Sequence, residues 1–109
     1  MLEPLFGSKG SEKVLIFIAA RSEAYPREIS RFTGMGIYPI RKQLDKLELG
    51  GILVSFIKGR TRIYSFNLRY PLLKELKALL EKALSLYPEE EQEKLMMNRR
   101  RPRRRGKTL

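Results

Sequence analysis

Guanidinium and ammonium groups are the chemistry this chain offers most plainly. Arg41 and Lys42 stand close to Tyr38, Lys58, Arg60 and Arg62 crowd the junction of two apolar runs, and Arg27 and Arg31 lie four apart. A last series, Arg99, Arg100, Arg101, Arg103, Arg104, Arg105 and Lys107, has no acid among the final twelve residues. Such groups recognise anions. Arg41 suits guanine O6 and N7 in a bidentate pair, or a phosphate, and Tyr38 suits a phosphate or a thymine methyl. Catalysis is poorly served: with no His and no Cys, the usual zinc, iron–sulfur and haem sites cannot be built. The commonest general base at neutral pH and the strongest nucleophile are missing too. No GxxxxGK[ST] phosphate cradle is present. The residues therefore predict a binding protein that is not an enzyme and uses no metal or cofactor.

The net charge is +11, of which the seven cations of the final series supply +7 and leave +4 on the body. A modestly positive body with a strongly positive end points to a polyanion, either nucleic acid or an anionic membrane surface. A length of 109 residues fits one small domain. No apolar run approaches the roughly 20 residues of a membrane span, the start shows no secretory signal pattern, and cysteines to staple a secreted domain are lacking. A soluble, cytoplasmic protein is expected. Beside the basic end only Leu95, Met96 and Met97 could anchor a membrane surface, so no membrane partner is expected.

The elements that must position these cations follow from periodicity and punctuation. SEKVLIFIAA reads as a helix over 11–20 with Ser8 or Ser11 as cap and Glu12 at the positive dipole end. Pro26 opens a second helix, REISRFTG, with Ile29 and Phe32 on one side and Gly34 as its exit. Ile37, Ile40, Leu44 and Leu47 make the buried stripe of a third, which leaves Tyr38, Arg41, Lys42 and Asp45 outside; Pro39 requires that helix to begin just before it. ILVSFIK (52–58) and TRIYSFN (61–67) flank Gly59-Arg60, the order of a type II′ β-hairpin turn. The register stays open: a two-residue loop sets Phe56 opposite Ile63, a three-residue loop Val54 opposite Tyr64. Residues 72–87 form a long helix whose apolar arc, including Leu73, Leu76 and Leu80, is broader than a small core covers, which predicts homodimer pairing. Beyond Pro88 come an acidic stretch that can form a short helix and then the basic run.

Helix, short helix, turn, helix, hairpin, helix is the order of a winged helix-turn-helix. LFGSKGSEKVL, YPREISRFTGMG, RKQLDKLELGGIL, KGRTRIYSFN and YPLLKELKALL resemble successive blocks of ArsR-like winged-helix regulators. The likeness is strongest to a small prokaryotic subgroup sometimes fused or paired with nucleotidyltransferase domains, and it covers about residues 4 to 84. It implies a mainly α fold with a β-hairpin wing and a C-terminal dimerisation helix, at 4–87; composition adds an acidic-then-basic tail at 88–109, whose single-sign basic run is expected to stay disordered alone. It also implies homodimeric, sequence-specific binding of double-stranded DNA, with the third helix in the major groove and the wing along the backbone. Metal sensing is not implied, since the Cys and His of metal-responsive members are absent.

Each cation has a plainer alternative. Arg41, Lys42 and Lys46 can simply solvate a helix face, Lys58, Arg60 and Arg62 can protect a sheet edge, and Arg27 and Arg31 can pair with Glu28 or Glu23. Phe56, Tyr64 and Phe66 are read as core rather than as a base-stacking platform. The arginines of the tail are read as nonspecific phosphate contacts. Two other functions stay open: an RNA-binding or ribosome-associated basic protein, and an antitoxin-like module for a separate protein partner.

Overall fold

Apolar and charged patterning resolves, in the computed structural model, into six helices and three short strands among residues 1–97, the residues that the structure describes. A single turn, α1 (Glu3–Phe6), precedes α2 (Lys9–Arg21), and Ser8 caps the latter: its Oγ accepts from the Ser11 amide at 3.1 Å. Val14, Leu15, Ile16, Phe17 and Ile18 are all buried. A helix apolar around its whole circumference must lie at the centre of the fold, and α2 touches every other helix and two of the strands. Residues 23–24 form β1 (Glu23–Ala24), a strand too short to show in the sequence pattern.

Pro26 occupies the first position of α3 (Pro26–Thr33), and Gly34 ends it at φ 78°, a left-handed conformation that a side chain disfavours. Only Met35 separates Gly34 from Gly36, the cap of α4 (Ile37–Leu49). Pro39 thus falls in the first turn, where its missing amide hydrogen has no helical partner to lose. Ile40, Leu44 and Leu47 are buried and Ile37 partly so. The Ser11 hydroxyl donates to Gln43 Oε1 at 2.7 Å and ties α2 to α4.

The hairpin joins β2 (Leu53–Lys58) and β3 (Thr61–Phe66) with Phe56 opposite Ile63, the two-residue alternative. Gly59 has φ 66° and Arg60 a negative φ, as a type II′ turn requires. β3 is the central strand, in the order β1-β3-β2, so a three-stranded antiparallel sheet stands where the sequence predicted a hairpin. Its inner face carries Leu53, Tyr64 and Phe66, all buried. Phe56 is corrected: it alternates onto the other face and is exposed, not core.

α5 (Leu73–Ser85) packs along α2, and α6 (Glu89–Met97) folds back onto α2 as well. Leu95 is buried in the common core, so the acidic stretch beyond Pro88 joins the body. No helix among the described residues is long and apolar enough to cross a membrane. The mainly helical body with its small antiparallel sheet is compatible with a winged arrangement.

Candidate nucleic-acid interface

α3, α4 and the hairpin enclose a groove of about 760 Å³. Arg27 and Arg31 enter it from α3, Arg41 and Asp45 from α4, Arg60 from the turn and Arg62 from β3, with Tyr64 beneath. The groove's walls are held by two side-chain relays. Arg62 Nη1 donates to Ser55 Oγ at 2.8 Å, and Ser55 Oγ donates to Glu48 Oε2 at 2.6 Å, which fixes the hairpin against α4. On the α3 side Glu28 accepts from Arg21 Nη1 at 3.2 Å and from the Tyr25 amide at 3.4 Å.

That use of Glu28 bears on the local pairing offered for Arg27 and Arg31. The carboxylate is taken by Arg21, and the ion pairs among the described residues are Arg21–Glu28 and the Met1 amine with Glu12. Arg27, Arg31, Arg41 and Arg60 therefore reach no carboxylate within 4 Å among the described residues. Asp45, four residues after Arg41 on the same helix face, is the groove's acid but forms no ion pair among the described residues.

Five of the eight body residues predicted to touch DNA thus share one concavity, and three do not. Tyr38 is 84% exposed on the outer side of α4, with Lys42 exposed beside it. Lys58 pairs with Thr61 and therefore projects from the hairpin face opposite that of Arg62. The arginines at 99, 100, 101, 103, 104 and 105 lie outside the described residues.

Of the leucines predicted for pairing, Leu73 and Leu76 are half-buried against the chain's own core. Leu80 is 0% exposed and has no surface to offer a partner, which corrects its assignment. The unburied leucines of this region are Leu72, Leu79 and Leu86, seven apart along one flank of α5.

Three groups stand out that the sequence did not single out in these roles. Tyr64 floors the groove. Arg21, nearly buried, lies 4.3 Å over the Phe17 ring and 5.6 Å over that of Phe32, and donates through Nε to the Leu95 carbonyl at 3.0 Å. Burial lowers its pKa, with Glu28 pulling the other way. Glu12, read as a dipole residue, is buried and accepts from the Leu2 amide at 2.8 Å, the Tyr87 hydroxyl at 2.7 Å and the Met1 amine at 3.3 Å. Alternation along β3 places Arg62, Tyr64 and Phe66 on one face, a signal for Tyr64 that becomes readable once the register is known. No family model matches the chain, and no curated protein or solved structure matches it either.

Proposed function

We propose that the chain binds double-stranded DNA as a winged helix-turn-helix protein, with α3 and α4 as the helix-turn-helix and the β2–β3 hairpin as the wing, and acts as a dimeric transcriptional regulator. The observation that carries this reading is the convergence of Arg27, Arg31, Arg41 and Arg60 from three elements on one groove, without a carboxylate partner among the described residues. Like charges held this close raise the free energy of the folded state, and a polyanion in the groove offsets that repulsion. The short Gly34-Met35-Gly36 link and the exposed outer side of α4 support a helix presented to a major groove. The likeness of the sequence blocks to ArsR-like regulators agrees with this. For the dimer, the exposed stripe of Leu72, Leu79 and Leu86 is the face best suited to a second copy.

Titration of the protein with a mixed-sequence duplex and with a structured RNA of equal length, over a salt series, tests the reading. Duplex should win, and log affinity should fall linearly with log salt, each phosphate contact adding about 0.9 to the slope. Preference for the RNA would make the chain an RNA-binding protein instead. Selection from a random duplex pool should then return a common motif.

A further inference from the structure

Tyr64 is 3% exposed, yet its hydroxyl makes no hydrogen bond among the described residues. A phenylalanine would fill the same space without the cost of an unsatisfied polar group, so the hydroxyl calls for an explanation. The side chain lines the arginine groove from below, between α4 and the hairpin. Every guanidinium around it is a pure donor. What completes this set of groups is a ligand made of acceptor oxygens with negative charge, and a cavity of about 760 Å³ takes more than one small anion. A phosphodiester strand has both properties.

We infer that Tyr64 Oη donates a hydrogen bond to a backbone phosphate oxygen of a nucleic-acid strand seated in the groove between α3, α4 and the hairpin. This rests on the DNA-binding reading and deepens it: the strand's phosphates are held from three sides by arginines and from below by a neutral donor. Burial, and then the nearby carboxylates of Asp45 and Glu48, push the ionisation of Tyr64 upward against the pull of Arg62 and Arg41, so the hydroxyl keeps its proton and stays a donor. Because the donor is uncharged, it adds affinity and fixes position without releasing a counterion.

The test is Tyr64→Phe in the full chain, measured against a selected duplex and an unrelated one. Thermal unfolding should be unchanged or shifted upward, since a buried hydroxyl without a partner is removed. Affinity for both duplexes should fall together by about tenfold, the scale of a hydrogen bond to a charged acceptor, and the salt slope should stay as it was. A methylphosphonate walk along the selected duplex should find one position whose neutralisation weakens the parent protein but not the variant. Equal binding by parent and variant overturns the hydroxyl contact alone. Loss confined to the selected duplex means a base edge, not a phosphate, and also overturns the inference. A parent that binds no duplex at low salt overturns the DNA-binding reading beneath it.

Discussion

A buried carboxylate sets the response of this fold to acid. Glu12 is penalised by burial, but hydrogen bonds from Tyr87, the Leu2 amide and the Met1 amine outweigh that penalty and hold its pKa below the ordinary value of 4.5. A carboxylate whose folded pKa is depressed contributes stability that is fully present above its unfolded pKa and is lost as pH falls through the folded value. Denaturation should therefore show stability flat near neutrality and declining below about pH 4.5. Tyr87→Phe removes one of the donors, with burial and Glu12 having raised the pKa of the tyrosine itself. At pH 7 the variant should lose about 1.5 to 3 kcal/mol, and the gap to the parent should narrow toward pH 2, because protonated Glu12 has less use for the donor. A gap independent of pH would show that Tyr87 acts by packing alone. Neither role was legible in the sequence. Glu12 stands where a helix dipole favours any acid, and Tyr87 meets it across 75 residues of chain, a pairing no local pattern encodes.

Among elements, what is regular at short range was readable and what depends on distant contacts was not. The stripe Ile40, Leu44, Leu47 and the punctuation by Pro26, Gly34 and Gly59 located α3, α4 and the hairpin turn. β1, with two residues, exists because β3 offers it an edge. α6 shows one buried leucine in an acidic run, and its docking depends on Arg21, whose guanidinium donates to the carbonyls of Leu95 at 3.0 Å and Lys94 at 3.4 Å. Arg21→Met should cost about 3 kcal/mol in denaturant titration, the low end for a broken buried pair because Glu28 remains 29% exposed. Hydrogen exchange should show the α6 amides losing protection before those of α4. On α5 the apolar arc gave no means of telling inward from outward leucines, since Leu79 and Leu80 are both leucines in a wide stripe. The structure separates them. Leu80→Glu buries a charge in the core and should unfold the chain, whereas Leu79→Glu should leave a folded protein that sediments as a monomer where the parent sediments as a dimer. A folded parent monomer ends the pairing idea.

At the scale of the whole molecule the body measures 41 × 35 × 28 Å, and a two-fold pair that binds duplex DNA in the proposed way would have to set its α4 helices about one DNA turn, roughly 34 to 36 Å, apart. Selected sites should accordingly be inverted repeats with that spacing. The basic series after Asn98 enters here, because its seven cations outnumber the four groove arginines that have neither a carboxylate nor a side-chain hydrogen-bond partner among the described residues. Base edges carry sequence information, while phosphate contacts position the protein and set its dependence on salt. If four groove arginines per protomer meet phosphates, the body alone should give a slope of log affinity against log salt of about 3 to 4 per protomer, at about 0.9 for each contact. The full chain should be steeper by several units, and truncation after Asn98 should bring it down to the body's value. Affinity for selected and unrelated duplexes should drop together, so that the ratio between them survives. Arg41→Ala in the full chain separates the two roles open to that residue. A loss of about 1 to 3 kcal/mol confined to the selected duplex marks a guanine contact, and an equal loss on both, with the slope shallower by about 0.9, marks a phosphate. Its place among the residues that line the groove favours the phosphate and leaves reading of bases to Tyr38 and Lys42, exposed beside it on the same face of α4. If truncation abolishes the preference among sequences while Tyr38→Ala and Lys42→Ala leave it intact, α4 is not the reading element.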